Sequence, residues 1–316
     1  MPRQTNAMKS GAIHHFPVVK LQPDRKVLWN RLERKTLVNR PEERVRLQFV
    51  DYLTLQCGWP ESRIASEQAV TGERQKRMRA DLIGYNRTFD PEFLVECKAE
   101  SVSLTPRTAQ QIALYNREVN APYLCITNGL SDYWFQITGP HAKPLRTPPV
   151  QPVRSPSEIR REIDYWQLRG FAGSSFPGRD GDSAATLLST FWSDSQPWPT
   201  AYLQSSKQTP ELFLDHHYRT LPGRGDDQIA VTLMAGRRGS TWLVAICMRN
   251  QDVHSLFCCD LASVEHETPD KGWLLNEQGR TGIDPEILQN FSPGLRPDTW
   301  IDTLPKLLRD FLYQDQ

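Results

Sequence analysis

The 316 residues are enough for two ordinary domains, and 38% apolar residues with 9 Trp, 9 Tyr and 12 Phe supply the core of a folded globular protein. Apolar runs such as Trp242 to Met248 are far shorter than the roughly 20 residues a membrane helix needs, and the basic N-terminus lacks an apolar signal segment. We therefore expect a cytoplasmic protein and exclude a membrane protein. The six cysteines lie singly or adjacent in hydrophobic stretches without C-x-x-C spacing, which predicts buried thiols.

The net charge of +1 hides an asymmetry between the two halves of the chain. Residues 1–150 carry 22 Lys/Arg and 15 Asp/Glu, whereas residues 151–316 carry 16 and 22. A polyanion should therefore bind to the first half of the chain, and the acidic second half is suited to a protein partner. The first 50 residues hold 11 basic and 4 acidic side chains, which suits either an arm that touches phosphates or a merely solvated basic surface.

In chain order, the first predicted element is a basic, irregular arm over residues 1–38, because residues 1–23 show no apolar periodicity. A helix should begin at Pro41, since proline suits the first helical turn and apolar residues recur behind it at helical spacing. An antiparallel meander, a helix, a buried strand and an edge strand should follow. These elements are predicted at Ile64 to Val70, Ala80 to Tyr85, Phe93 to Ala99, Thr105 to Val119, Tyr123 to Thr127 and Tyr133 to Ile137.

Six prolines between Gly139 and Ser157 predict a linker over residues 141–157. Beyond it, Ser155 is placed to cap a helix that Gly170 would close. Apolar runs then predict an antiparallel sheet, and leucines at helical spacing predict a final helix. The predicted strands are Gln228 to Met234, Thr241 to Met248 and His254 to Leu261, and the final helix is Trp300 to Tyr313.

Three charged residues of the first half are candidates for chemistry. Glu96 and Lys98 are two apart on a predicted strand, so their side chains emerge on one face while Val95 and Cys97 point to the other. Asp81 opens the preceding predicted strand and can sit beside Glu96 in the strand pair. Charged groups in such an apolar strand are costly unless they have partners or a metal ion.

Phosphodiester hydrolysis uses a set of this kind. A hard cation held by carboxylates, a backbone carbonyl and waters can activate the attacking water and neutralise charge on the phosphate. Lys98 would orient that water or help to deprotonate it. The three residues alone also fit a surface salt-bridge cluster on an exposed strand, so their surroundings decide.

Those surroundings form an ordered series of motifs. The series is Pro41-Glu42-Glu43-Arg44-Val45-Arg46, Glu67, Arg79-Ala80-Asp81-Leu82, Val95-Glu96-Cys97-Lys98-Ala99, Gln111 with Tyr115, and Ala121-Pro122-Tyr123 to Thr127-Asn128-Gly129. Over about residues 40–137 the chain resembles the N-terminal nuclease domain of the R subunit of type I restriction enzymes, a PD-(D/E)XK fold.

The resemblance implies a role for each matching residue of the strands. Asp81 and Glu96 match the family's metal-binding acids, and Cys97 lies between them and the catalytic lysine, Lys98. The implied metal set is therefore Asp81, Glu96 and the backbone carbonyl of Cys97, with Mg²⁺ or Mn²⁺ as the ion.

It also implies roles for residues on helices. Glu43 resembles the additional acid that assists the metal site in many relatives, with Glu42 as a rival and a plain N-terminal helix charge as the alternative. Gln111 and Tyr115 match a Q-x-x-x-Y element, and their spacing puts them on one helix face toward the site or the DNA backbone. A helix packing contact is the alternative for this pair.

Two features depart from the family pattern. Ala80 stands where the signature proline is often found. The sequence has no G-x-x-x-x-G-K-[ST] loop, so the ATP-driven translocase that follows this domain in the R subunit is missing, which predicts a stand-alone relative.

The expected fold is α/β (α+β), with a restriction-endonuclease-like core whose mixed central sheet is flanked by helices. A second, smaller α+β domain with an antiparallel sheet should follow. The expected divisions are an arm at 1–38, a nuclease-like domain at 39–140, a linker at 141–157 and a domain of unknown role at 158–316. The expected function is a Mg²⁺-dependent DNA endonuclease of restriction-modification type. The alternative is a non-cleaving DNA-binding or assembly module that keeps the fold and contacts a protein partner.

Overall fold

The computed structural model describes residues 7–71, 77–105, 112–113, 116–174, 181–204, 209–250, 252–261, 272–291 and 297–313. The chain divides into two compact units. The first comprises Met1–Lys20 and Val27–Ile159, and the second comprises Leu21–Lys26 and Arg160–Gln316. None of the helices in the described parts is long and apolar enough to cross a membrane. All six cysteines are buried and free, which confirms the prediction of buried thiols.

Among its described residues, the first unit contains one long helix, a main sheet and a small sheet. Its helix α1 spans Pro41–Asp51 and continues as a π-helical turn over Tyr52–Gln56. The strands are β1 (Met8–Lys9), β2 (Val19–Leu21), β3 (Lys26–Asn30), β4 (Lys35–Leu37), β5 (Ile64–Thr71), β6 (Arg77–Tyr85), β7 (Pro91–Cys97), β8 (Tyr123–Thr127), β9 (Ser131–Thr138) and β10 (His141–Pro144). Short 3₁₀ turns cover Gly11–His14 and Glu61–Arg63, and residues 112–113 and 116–119 are helical.

The main sheet has the strand order β1-β9-β8-β7-β6-β5, with β10 also paired to β9. Strands β5, β6 and β7 form the antiparallel meander that the sequence predicts. Strand β8 then pairs with β7 in parallel, which requires a crossover, and the helical residues 112–113 and 116–119 lie in it. The predicted mixed central sheet is therefore confirmed. The separate small sheet has the order β2-β3-β4.

Both faces of the main sheet are covered by apolar side chains. Val45 and Phe49 of α1 pack in one cluster with Val95 and Cys97 of β7. On the other face, Leu94 packs with buried residues of β8 and of the crossover. Odd- and even-numbered side chains of β7 thus lie on opposite faces of the sheet, as the alternation of side chains along a strand predicts.

Strand β9 is not the edge strand that its sequence indicates. It pairs with β8 on one side and with β1 and β10 on the other. The edge prediction is wrong because the covering strands come from distant or proline-flanked segments that have no strand periodicity of their own.

Residues 7–38 and 141–157 differ from the predicted irregular arm and linker. Ala12, His15 and Phe16 are buried, and β1 completes the main sheet. The linker begins with β10, whose Pro144 stands on the last paired position of an edge strand, where a missing N–H is tolerated. Further along, the Val153 amide donates to the Gln56 carbonyl at 2.9 Å.

The second unit is built on one fully antiparallel sheet of seven strands, in chain order from β11 to β17. The strands are β11 (Thr200–Leu203), β12 (His216–Pro222), β13 (Gln228–Ala235), β14 (Thr241–Arg249), β15 (Asp252–Asp260), β16 (Gly272–Asn276) and β17 (Gly279–Gly282). The helices are α2 (Ile163–Leu168), α3 (Gly181–Phe191), α4 (Pro285–Gln289) and α5 (Pro297–Leu312). This confirms the predicted second α+β domain with an antiparallel sheet. The helix expected from Ser155 is instead a 3₁₀ turn at Pro156–Glu158 followed by α2.

Candidate functional site

The three candidate residues of the strands lie at adjoining positions of β6 and β7. Leu82 pairs with Val95 in the antiparallel register, so the next position along both strands brings Asp81 beside Glu96. Lys98 follows the last residue of β7, one position beyond Cys97. The hairpin therefore juxtaposes the residues that the sequence singles out.

Hydrogen bonds hold these groups in place. The Cys97 amide donates to Asp81 Oδ2 at 2.7 Å, so the Asp81 carboxylate is tied to the backbone of the neighbouring strand. Lys98 Nζ donates to Glu96 Oε1 at 2.5 Å, which confirms that the two side chains emerge together. Although β7 ends at Cys97 rather than at Ala99, the Lys98 amide still donates to the Thr127 carbonyl at 2.8 Å. That bond fixes the backbone of Lys98 against β8.

The regular alternation of β6 breaks at Asp81. Ala80 and Ile83 pack in the same cluster although they are three apart, whereas Leu82 packs in the cluster on the opposite face. On the other side of Asp81, the register of β5 with β6 sets Glu67 opposite it, and Glu67 has a positive φ of 51°. A left-handed glutamate inside a strand is uncommon and costs conformational energy. The irregularity lies next to the candidate site, where such strain is often retained.

Helix α1 adds one acid and one arginine to the site. The Arg46 guanidinium forms an ion pair with Glu43, and its Nη1 lies 3.3 Å from Glu67 Oε1. Burial raises the pKa of Glu43; Arg46 opposes this, and the charges of Glu67 and Asp81 add to it. Glu42 is exposed on the same helix. The structure therefore places Glu43, and not its rival, in electrostatic contact with the strand acids.

Burial and mutual repulsion shape the electrostatics of the two strand acids. Burial, followed by the negative charge of Asp81, raises the pKa of Glu96 to about 7 against the opposing effect of Lys98. Burial also raises the pKa of Asp81, while the Cys97 amide, Arg46 and Lys98 lower it. Two desolvated carboxyl groups that repel each other bind a proton or a metal ion more readily than solvated ones.

The donor set fits a small hard cation. Across the described residues, no group of three or more His, Cys, Asp or Glu side chains is arranged to hold a metal ion. Mg²⁺, however, keeps several of its waters and is usually bound through one or two carboxylates. Asp81 and Glu96 supply two such carboxylates from neighbouring positions of β6 and β7, and Glu96 is buried. The backbone carbonyl of Cys97 would be a third oxygen ligand.

Gln111 and Tyr115 lie outside the described residues, so their roles stay predictions. Ile112, between them in sequence, is fully buried in the cluster beside β8.

Two residues of the site were not assigned a role from sequence. Glu67 belongs to the motif series without an evident function, and Arg46 reads as one more basic residue of α1. The signal for Glu67 was its place opposite Asp81 once β5 and β6 are paired in register. Arg46 follows Glu43 by three positions, the spacing at which helix side chains are neighbours.

Comparison with protein-family models finds a match within the first unit. A family described as the type I restriction enzyme R protein N terminus (HSDR_N) has a model that matches residues 41–146. This match confirms the resemblance of the first unit to that domain. It covers about a third of the chain and includes α1 and strands β5 to β10 with every candidate site residue. No curated protein matches the chain significantly.

Proposed function

We propose that the first unit is a metal-dependent endonuclease that hydrolyses phosphodiester bonds of DNA. The observation that carries this proposal is the row of acids across three adjoining strands, Glu67, Asp81 and Glu96, with Lys98 bonded to the last of them. The match to a restriction-enzyme domain over the same residues supports a nucleic-acid substrate. A purely structural salt-bridge cluster would not require two carboxyl groups with raised pKa side by side.

Asp81, Glu96 and the backbone carbonyl of Cys97 would hold one Mg²⁺ or Mn²⁺ ion. Such an ion lowers the pKa of a bound water and neutralises charge on the phosphate. Asp81 is well suited to this role because its carboxylate is anchored by the Cys97 amide at 2.7 Å. Its position therefore does not depend on a flexible side chain alone.

Lys98 would act on the attacking water. Its ammonium group lies 2.5 Å from Glu96 Oε1, so it is held at the same carboxylate that would ligate the ion. There it can orient the water and stabilise negative charge as the phosphate is attacked. Gln111 and Tyr115 are proposed to position the DNA backbone, on the resemblance alone.

Cleavage of supercoiled plasmid tests the proposal. The full-length chain should nick the plasmid with Mg²⁺ or Mn²⁺ and not with EDTA, and Asp81→Asn should abolish nicking. Lys98→Ala should slow it by about a hundredfold or more, the range for losing a proton-handling group. Glu92→Gln, an acid at the start of the same strand β7, is the matched control and should cut like wild type.

Each variant's unfolding transition should be measured alongside, so that loss of activity is not loss of fold. If wild type and variants behave alike in purified form, the nuclease proposal is wrong. A wild type that binds DNA without cutting it would favour the non-cleaving module.

A further inference from the structure

Arg46 is a buried arginine held between two acids of the candidate site. Its side chain is only 4% exposed, and those of Glu43 and Glu67 are 19% and 12% exposed. Arg46 Nε has no hydrogen-bond partner within the described parts of the chain. A buried donor without a hydrogen-bond partner destabilises the folded state. The arginine is therefore not placed there for hydrogen bonding alone.

The two acids that Arg46 bridges both act on Asp81. The charges of Glu43 and Glu67 interact with that carboxyl group, and Glu67 is its neighbour across the strand pair. Together with Glu96, the site holds four carboxyl groups. Desolvated carboxylates this close to one another need cations, whether from the protein or from solution.

The protein supplies those cations unevenly. Arg46 is shared by Glu43 and Glu67, and Lys35 Nζ also lies 2.8 Å from Glu67 Oε2. These two acids are thus neutralised by fixed positive side chains. Lys98 forms an ion pair with Glu96 at 2.5 Å. Asp81 is instead tied to a backbone amide, which carries no formal charge, and the charges of Arg46 and Lys98 act on it without a direct ion pair among the described residues.

From this arrangement we infer that Arg46 is a built-in counter-cation that makes the site a one-metal site. Arg46 neutralises the charge of Glu43 and Glu67, so these acids do not bind a second metal ion. Asp81 and Glu96 bind the single metal ion. Arg46 is thus a positioning residue, since it acts on the acids of the site rather than on the substrate. This inference rests on the proposed metal-dependent function.

Metal stoichiometry tests it without using activity. Mn²⁺ binding to the full-length chain, measured by calorimetry and by the electron paramagnetic resonance signal of free Mn²⁺, should give one ion per chain. Arg46→Lys, which keeps the charge, should also bind one ion. Arg46→Gln should bind two, and the double variant Arg46→Gln/Glu43→Gln should return to one.

Arg44→Gln is the matched control. Arg44 is another buried arginine of α1, and its Nε lies 3.4 Å from Glu100 rather than from the acids around Asp81. Its replacement should leave the stoichiometry at one and change the dissociation constant by less than about tenfold, the equivalent of 1.4 kcal/mol.

The outcomes separate this inference from the proposed function. Two ions on wild type overturn the counter-cation role even if Arg46→Gln does not fold, and leave the nuclease proposal standing. A single ion on folded Arg46→Gln also overturns it. A wild type that binds no Mn²⁺ overturns both proposals.

Discussion

Replacing Glu96 by Gln should stabilise the metal-free protein at alkaline pH and have little effect at acidic pH. The pKa of Glu96 is raised from an ordinary 4.5 to about 7 by burial and by Asp81, so the folded state holds this proton more tightly than the unfolded state. The resulting contribution to stability is complete below pH 4.5 and is lost as the pH rises through about 7. Above that pH the wild type must keep a desolvated charge that the amide does not carry.

The magnitude follows from the size of the shift. A difference of about 2.5 pKa units corresponds to up to about 3 kcal/mol at 1.36 kcal/mol per unit. The Glu96 side chain is only 6% exposed, so solvent screens its charge little. Lys98 lowers the pKa of Glu96 and Asp81 raises it, so part of the free-energy difference belongs to these two neighbours. We expect the stability difference between variant and wild type to grow by about 2 kcal/mol from pH 5 to pH 8.

Urea unfolding at pH 5 and pH 8, with EDTA present, measures this difference. Glu92→Gln on the same strand is the control and should show no comparable change with pH. The reasoning is refuted if Glu96→Gln differs from wild type by the same amount at both pH values. Adding Mg²⁺ at pH 8 should stabilise wild type and not Glu96→Gln.

Two further substitutions each test one local feature, the backbone strain of a turn in the first unit and a buried hydroxyl in the second. Phe89→Gly should raise the free energy of unfolding by about 1 kcal/mol, because Phe89 has φ +63° in the turn between β6 and β7 and its side chain is 63% exposed. Tyr313→Phe should lower it by about 1–2 kcal/mol, because the buried hydroxyl donates to Asp227 at 3.0 Å and accepts the Arg224 amide at 3.1 Å. Urea midpoints check both.

Their controls differ. Phe89→Ala removes the ring but keeps the positive-φ penalty, so an equal gain for Ala and Gly would show that backbone strain is not the cause. For Tyr313→Phe, an unchanged midpoint would mean that the hydroxyl network around Asp227 adds no net stability. Arg249, which lies 3.0 Å from Asp227, would then suffice to hold that carboxylate.

The local part of the site follows from sequence because it depends on short-range periodicity. Glu96 and Lys98 share a face since strand side chains alternate with a period of two. Asp81 meets Glu96 since a hairpin with a short turn sets the register of its own strands. These relations span at most 17 residues, and local patterns carry them.

The remaining relations depend on contacts between distant segments. Whether Glu42 or Glu43 faces the strands depends on how α1 is rotated against the sheet. The apolar periodicity of α1 does not fix this rotation well enough to distinguish two adjacent residues. The place of β9 inside the sheet depends on β1, more than 120 residues earlier in the chain, and on β10. Neither segment has enough strand periodicity to be predicted as a strand from its sequence.

The amino-acid sequence by itself thus determined the meander, the mixed sheet, the antiparallel second unit and the trio of Asp81, Glu96 and Lys98. Only the tertiary structure decided that Arg46 joins Glu43 to Glu67 beside that trio. The physical reason is that charge pairing between a helix and a strand is set by packing of the core beneath them, and no local spacing encodes it.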